Sequence, residues 1–441
     1  MSSNGDLFYE SLIQSYVNAP RFIGRPWLAE RIEAMLAEPN CRFLLLTAEP
    51  GAGKTAFMAW LAHQHPNWCR YFIRRDQRTP LGDVGAHSFL LQVGFQLAAI
   101  HPDLFQQDQL KISVQQRIGT MDAASKAVGA EIDKLFASPF YQKVIQIQQE
   151  VDHNQGNLTG IRIGEWYADN RSLPIENLQY WALIDPAIAL SHSAPNQRVV
   201  VLVDALDELR YRDAEQSLLK WLADCPELPA NLWFILTSRP DDALLNNFRG
   251  SQQPWLQQMT IEEEDLKVRE DLTAYADLLV QMPEVEVALE ENHQAVDSFV
   301  EQIVNKANGN FGYLDAIGRA VDTAILQNQQ DLLKEILKLS DLPNTLQDLY
   351  AFFLGKIKDA VSKTQIWNPN AGDFFIWETI WEDLYQPILG ILTVAHEPLT
   401  ALQIQKLSSV SEKYLNNAIE RLRQFLDKPG QTHLIFTMLT G

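Results

Sequence analysis

A glycine-bearing loop between an apolar run and a helical pattern is the feature that most constrains the fold. Residues 43–47 read FLLLT, residues 48–55 read AEPGAGKT, and residues 55–63 continue as an apolar helical pattern. Strand, glycine-bearing loop, Lys-Thr and helix in this order form the context that a phosphate-binding P-loop needs. Gly51 and Gly53 allow successive backbone N–H groups to converge on a phosphate, and the following helix adds the positive end of its dipole. The pattern therefore predicts an α/β domain with a parallel sheet.

Two side chains of this loop have predicted roles in nucleotide binding. Lys54 would reach the β- and γ-phosphates, and the hydroxyl of Thr55 would ligand Mg²⁺. Ala48 replaces the usual first glycine, a mild departure because that position is least constrained by ligand approach. The residues predicted to bind the phosphates are Pro50, Gly51, Ala52, Gly53, Lys54, Thr55 and Ala56.

A second apolar run supplies the acidic residue that a P-loop requires on a neighbouring strand. Residues 198–209 read RVVVLVDALDEL, and 199–203 have the continuous apolar character of a strand buried on both faces. Asp204 at its carboxyl end would hold Mg²⁺ through water. Asp207 and Glu208 follow at a spacing that could direct a carboxylate at a water near the γ-phosphate, and the choice of base between them stays open. The alternative role of this acidic pair is capping of a helix N-terminus.

A third strand pattern ends in a basic residue. Residues 231–237 read NLWFILT and are followed by Ser238, Arg239 and Pro240. An arginine at the end of a core strand could sense the γ-phosphate, and the proline would stop the strand. Coming after the two phosphate motifs in this order, Arg239 is a candidate catalytic residue.

Together these segments resemble the NACHT branch of the STAND class of signal-transduction NTPases. The matching segments are EPGAGKT, VVVLVDALDEL and FILTSRP. Residues 20–25 (PRFIGR) resemble the adenine-side motif of that class, which implies nucleotide contacts for Phe22, Ile23 and Gly24. Residues 306–311 (KANGNF) resemble its helical-lid motif, and 342–350 resemble the joint between lid and winged helix. The resemblance covers about residues 20–430, apart from 105–191.

The resemblance implies an AAA+-like order of domains. An N-terminal extension (1–20) would precede a P-loop NTPase domain (21–262) with a parallel sheet and an insertion at about 105–191. An α-helical lid (263–345) and a winged-helix domain (346–441), complete or incomplete, would follow. The cofactors implied are ATP or ADP with Mg²⁺.

The insertion carries a short internal repeat. Ile112-Ser113-Val114-Gln115-Gln116 returns as Ile145-Gln146-Ile147-Gln148-Gln149, an offset of 33 residues. Two alternating segments in each copy predict paired β-hairpins inserted into the α/β domain. One hypothesis is that the insertion docks a partner or regulates the protein. The other is that it is a solvent-exposed addition without a function of its own.

Charge and cysteine content limit the partners and the compartment. The 36 Lys and Arg against 56 Asp and Glu give a formal charge of −20, which repels nucleic-acid backbones. The three cysteines, Cys41, Cys69 and Cys225, are far apart, which excludes a disulfide framework and a cysteine zinc site and favours the reducing cytoplasm. No apolar run approaches the ~20 residues that span a bilayer, and no signal peptide is recognisable at the start.

These observations lead to one functional hypothesis and two alternatives. The leading hypothesis is an ATP/ADP-dependent switch with slow hydrolysis, in which nucleotide controls domain opening, self-association or protein partners in signalling or defence. One alternative is an AAA+-like DNA-metabolism ATPase of the origin-loader type. The other is a nucleotide-binding scaffold that does not hydrolyse ATP.

Overall fold

A computed structural model describes residues 7–73, 85–105, 110–136, 138–141, 143–167, 173–211, 217–363, 365–368, 373–395, 399–427 and 433–436. The strands are β1 (Phe43–Thr47), β2 (Cys69–Phe72), β3 (Leu110–Met121), β4 (Lys126–Phe136), β5 (Lys143–Asn154), β6 (Asn157–Tyr167), β7 (Val199–Asp204), β8 (Leu232–Ser238), β9 (Leu256–Thr260), β10 (Gln365–Asn368), β11 (Asp373–Ile376), β12 (Leu399–Thr400), β13 (Leu426–Asp427) and β14 (His433–Phe436). The helices are α1 (Glu10–Val17), α2 (Pro26–Leu36), α3 (Lys54–Gln64), α4 (Ala86–Ile100), α5 (Ile175–Gln179), α6 (Asp185–Ser193), α7 (Leu218–Asp224), α8 (Asp242–Ser251), α9 (Leu266–Val280), α10 (Pro283–Glu291), α11 (Val296–Ala307), α12 (Phe311–Leu326), α13 (Gln330–Leu337), α14 (Leu346–Val361), α15 (Gln386–Val394), α16 (Ala401–Ser408) and α17 (Glu412–Arg421).

The centre of the molecule is a parallel sheet of five strands in the order β2-β7-β8-β1-β9. The strands predicted at 43–47, 199–203 and 231–237 are confirmed and lie side by side, with β8 between β1 and β7. Because all five strands run in the same direction, their carboxyl ends meet at one edge of the sheet. The loops that follow β1, β7 and β8 therefore lie next to one another.

Successive side chains of each strand point to opposite faces of the sheet, so the apolar interior consists of two cores. On β1, Leu44 and Leu46 face one core, whereas Phe43 and Leu45 face the other. All four side chains are at most 1% exposed, as expected for a parallel sheet covered on both faces. The second core contains α4 to α8, and the first contains α2, α3 and apolar residues from every helix of the α9–α14 region.

The region after β9 is helical and shares the first core with the sheet. Leu272, Phe299 and Ile317, on α9, α11 and α12, are buried in the same cluster as Leu44 of β1. The sheet domain and these helices are thus continuous through apolar contacts. Within the described ranges, no helix has the length and apolar character required to cross a membrane.

The insertion forms strands that pair differently from the prediction. Hairpins were expected, but β3 pairs in parallel with β5, and β4 pairs in parallel with β6. Ile112 lies beside Ile145 and Gln116 beside Gln149, so the 33-residue offset of the repeat is the register of the β3–β5 pair. Equivalent residues stack on one another, and the Gln149 side-chain amide donates to Gln116 Oε1 at 2.6 Å. These strands cover 110–167, and the rest of the predicted insertion up to 191 includes α5 and α6.

The C-terminal region combines short helices with a small sheet. Helices α15, α16 and α17 follow one another between 386 and 421. Strands β12, β14 and β13 form a three-stranded antiparallel sheet in that order.

Candidate functional site

The loop between β1 and α3 has the backbone geometry of a phosphate cradle. Gly51 and Gly53 have φ angles of 84° and 82°, a left-handed conformation that only glycine adopts without strain. Gly53 is the N-cap of α3, so the helix begins directly at Lys54. The first N–H groups of a helix have no intrahelical partner, and those of α3 face the end of the loop. The loop therefore has the geometry that could present backbone donors to an anion, and binding by these residues stays a prediction.

Lys54 lies over its own loop. Its ammonium donates to the carbonyls of Ala48 at 2.7 Å and Glu49 at 3.1 Å. Burial lowers the pKa of Lys54, and the nearby carboxylates of Asp207 and Asp204 oppose that shift. A half-buried cation between backbone carbonyls and two acids is a donor that nucleotide phosphates would engage.

Asp204 is the buried acid at the carboxyl end of β7. Its side chain is 3% exposed and accepts a hydrogen bond from Thr237 Oγ1 at 2.6 Å. The Thr55 hydroxyl also hydrogen-bonds to it, so the two predicted metal ligands are adjacent. Burial raises the pKa of Asp204, and the bonds from Thr237 and Thr55 and the charge of Lys54 counteract that shift.

This acid and hydroxyl fit a magnesium ion. Mg²⁺ is commonly held by one or two carboxylates, with the remaining positions filled by phosphates and water. Among the described residues no group of three His, Cys, Asp or Glu side chains could hold a metal on its own. Asp204 and Thr55 would accordingly hold the ion together with the nucleotide.

Thr237 is a site residue that the sequence analysis missed. Besides donating to Asp204, its hydroxyl accepts from the backbone N–H of Ala205 at 2.9 Å. Ala205 has a φ of 65°, so the chain turns sharply directly after the acid. The available signal was a threonine at the end of the otherwise apolar strand that lies beside β7.

Asp207 and Arg239 form a close ion pair. Arg239 Nε lies 2.8 Å from Asp207 Oδ2, and the Arg239 backbone N–H donates to Asp207 Oδ1 at 3.1 Å. The Asp207 side chain is only 9% exposed. Both carboxylate oxygens of Asp207 therefore contact Arg239, the residue that was predicted to sense the γ-phosphate. Glu208 lies half-buried in the same short turn of 3₁₀-helix (Leu206–Tyr211), one residue after the acid that holds Arg239.

The segment before α2 contributes a buried arginine beside the loop. Arg25 is 3% exposed, its Nε lies 3.4 Å from Asp271 Oδ2, and its guanidinium stacks 4.3 Å from the ring centre of Phe311. A side chain at Gly53 would meet Arg25 Nη2 at 3.1 Å. Burial lowers the pKa of Arg25 to about 10, opposed by Asp271.

One hydrogen-bond donor of the Arg25 guanidinium is unsatisfied within the described part of the chain. Its Nη1 is buried and has no hydrogen-bond partner among the described residues. A buried unpaired donor is costly, and a nucleotide oxygen or ring nitrogen beside the loop would satisfy it. Arg25 ends the segment PRFIGR, in which Phe22, Ile23 and Gly24 were the predicted nucleotide contacts. Those three are half-buried, and Gly24 lies against Trp60 of α3.

Asp204 provides a prediction about stability. Because burial raises its pKa, the ionised form destabilises the fold above the raised pKa, and this cost disappears below the ordinary value near 4. We expect Asp204→Asn to leave the unfolding midpoint of the nucleotide-free chain unchanged or higher, since an amide oxygen can still accept from Thr237. The same variant should lose most of the stabilisation by Mg²⁺-ATP, measured by thermal unfolding. A lowered midpoint without nucleotide would contradict this account.

Comparisons with known proteins give only remote likenesses. No family model and no curated protein sequence matches the chain. Among solved structures, a Walker-type ATPase of Pyrococcus abyssi is 12% identical, with a TM-score of 0.38 over 94% of this chain and 93% of that one. Two mutant forms of RuvB from Thermotoga maritima are 12% and 11% identical, with TM-scores of 0.30 and 0.31 over 94% and 95% of this chain and 91% and 94% of theirs. Likenesses at these TM-scores are too remote to assign a role to the site.

Proposed function

We propose that the chain is an ATP- and ADP-binding switch of the NACHT type within the STAND class. Lys54 and the backbone of the loop would bind the phosphates, while Thr55 and Asp204 would hold Mg²⁺, which neutralises phosphate charge when bound. Glu208 would orient the attacking water, and Asp207 would keep Arg239 in place. Hydrolysis would be slow, because its role is to reset the switch.

The observation that carries the proposal is the contact between the phosphate loop and the helical region. The backbone N–H of Gly312, in the first turn of α12, donates to the carbonyl of Gly51 at 2.9 Å. Phe311 covers Arg25 on the same side of the loop. Helices that touch the phosphate loop directly can respond to its occupant, which is what a lid must do.

The lid also contacts the segment that follows it. Tyr313 Oη donates to the Pro343 carbonyl at 2.5 Å, and Lys306 Nζ donates to Asn344 Oδ1 at 2.8 Å. A change at the loop could therefore reach the joint over 342–350. In the proposed cycle ADP holds lid and winged helix closed, and ATP opens them for self-association or partner binding.

Limited proteolysis tests the switch. We expect cleavage in the joint at 342–350 to be slower with ADP than with a non-hydrolysable ATP analogue, because the two nucleotides would favour different lid positions. Cleavage elsewhere in the chain serves as the internal control. Identical cleavage patterns in the two nucleotides would contradict the switch and favour the scaffold.

Duplex DNA binding separates the switch from an origin-loader ATPase. The basic residues on and just after α17 are few: Lys413, Arg421 and Arg423 lie among Glu412 and Glu420, and Arg423 Nη1 is 3.9 Å from Glu420 Oε2. With a formal charge of −20, we expect no duplex binding at physiological salt by fluorescence anisotropy, with or without ATP. An ATP-dependent affinity that falls steeply with salt would favour the loader.

A further inference from the structure

Asn310 connects the helical lid to the phosphate loop with a single amide. Its Nδ2 donates to the carbonyl of Pro50 at 3.0 Å, and its Oδ1 accepts from the backbone N–H of Tyr313 at 3.0 Å. The second bond makes Asn310 the N-cap of α12. With Oδ1 used as the cap, only the NH₂ group can face Pro50, so the two bonds fix the orientation of the amide.

The backbone contact beside Asn310 leaves no room for side chains. A Cβ on Gly51 would lie 2.2 Å from Asn310 Oδ1, and a Cβ on Gly312 would lie 3.2 Å from the Gly51 Cα. Gly51 also needs its left-handed φ of 84°. The hydrogen bond from Gly312 N–H to Gly51 O forms across this close approach at 2.9 Å.

The residues that precede Asn310 also fix its position. The chain enters it through Asn308 and Gly309, which have φ angles of 44° and 83°. Gly309 packs so closely on Glu263 that a Cβ there would lie 2.6 Å from the Glu263 Cα. The position of the Asn310 amide is thus set by the lid and by the segment that leads into it from β9.

These contacts determine how the loop presents its donors. A trans peptide is planar, so a carbonyl that points toward the lid fixes the direction of the N–H in the same peptide. The lid holds the carbonyls of Pro50 and Gly51, and it thereby fixes the N–H group of Gly51 and that of Ala52, which donates to the Glu49 carbonyl at 3.2 Å. Both lie in the stretch between β1 and α3 that would surround a phosphate.

We propose that Asn310 is the positioning residue that couples the lid to the phosphate loop. It holds Pro50 and Gly51 in the conformation that binds phosphate, and it transmits nucleotide occupancy to α12. The coupling is reciprocal, since a ligand that stabilises this loop conformation also stabilises the lid contact. This inference rests on the proposed function for the identity of the ligand.

Asn310→Ser separates the capping bond from the contact with the loop. Serine is as good an N-cap as asparagine, so α12 should keep its first turn. Its shorter side chain, engaged with Tyr313, cannot also reach the Pro50 carbonyl. Thr400→Ala is the control for the loss of a cap, because Thr400 Oγ1 caps α16 by accepting from Gln403 N–H at 3.2 Å, on a helix outside α9–α14 and outside the joint over 342–350. Asn310→Ala removes both bonds of the asparagine.

Two readouts on the full chain decide the inference. Without nucleotide, we expect amide exchange at Gly312 to be about threefold to tenfold faster in Asn310→Ser than in the parent, the effect of losing one neighbouring hydrogen bond. With Mg²⁺-ADP, we expect calorimetry to give a Kd about threefold to tenfold weaker in Asn310→Ser. Thr400→Ala should change neither quantity by more than about twofold.

The outcomes also distinguish this inference from the proposed function. If Asn310→Ser matches the parent in exchange and in affinity, or if Thr400→Ala weakens binding equally, Asn310 does not couple the two elements. If the parent binds no ADP or ATP, the proposed function fails. In that case unchanged exchange at Gly312 in Asn310→Ser would overturn the contact role as well, and faster exchange would support it.

Discussion

Replacing Lys54 by alanine is expected to weaken both ATP and ADP binding by at least about 100-fold, because charge-assisted bonds to phosphate each contribute about 1.5–3 kcal/mol. The loss of nucleotide affinity has a second cause. Asp204 and Asp207 lie near the ammonium, and without it they would repel the phosphates unopposed. Isothermal calorimetry with Mg²⁺-nucleotide measures the change, and circular dichroism checks that the fold is intact.

The matched control for this variant is Lys267→Ala. Lys267 is exposed on α9 and pairs with Glu270 at 2.6 Å, so its loss removes one positive charge without touching the loop. We expect parental nucleotide affinity in that control. Parental affinity in Lys54→Ala as well would show that the loop does not bind phosphate through this residue, and the P-loop interpretation would be wrong.

The lowered pKa of Lys54 has a consequence for pH dependence. Its ammonium loses the proton at lower pH than an ordinary lysine, since burial penalises the charged form. Nucleotide affinity should therefore fall on the alkaline side as pH rises toward that lowered value, and the fall should be missing in Lys54→Ala. Affinity titrations across pH, with constant Mg²⁺, give the comparison.

Glu208→Gln is expected to slow ATP hydrolysis by about 100-fold or more while leaving ATP binding near the parental level, because general-base catalysis contributes about 10²–10⁴. Asp207→Asn should act differently. Its carboxylate holds Arg239 through the side chain and the backbone, and asparagine keeps one acceptor for the backbone N–H. We therefore expect a loss of about tenfold or less in hydrolysis.

Single-turnover measurements on the two variants assign the roles of the neighbouring acids. Arg239→Ala is the useful companion, because Asp207→Asn should resemble it if the pair acts as a unit. A large loss in Asp207→Asn with parental rates in Glu208→Gln would reverse the assignment. Parental rates in both would exclude both acids as the base and favour a nucleotide-binding scaffold.

The parallel sheet and its phosphate loop could be predicted from the sequence because their signals are local. An apolar run of five residues, two glycines at fixed spacing and a helical pattern follow one another within 43–63. Burial on both faces makes a parallel strand apolar throughout, so β7 and β8 were equally recognisable. The order of these motifs then placed Asp204 and Arg239 at the same edge as Lys54.

The insertion shows where local patterns stop being sufficient. Alternation predicted strands, and the repeat at 112–116 and 145–149 supplied the correct offset. A strand has the same two-residue sequence pattern whether it pairs with its neighbour in a hairpin or with the equivalent strand of the next repeat. Only the folded chain shows that equivalent residues stack in parallel.

The sequence by itself determined the candidate phosphate loop, since Gly51, Gly53, Lys54 and Thr55 are consecutive or nearly so and one turn positions them all. The tertiary structure alone decided the partners of Asp204, Asp207 and Arg25. Thr237 comes to Asp204 from 33 residues away and Asn310 comes to Pro50 from 260 residues away. Such contacts depend on which strands are neighbours and where helices α9–α14 pack. Both depend on the burial of many apolar residues at once rather than on any short pattern.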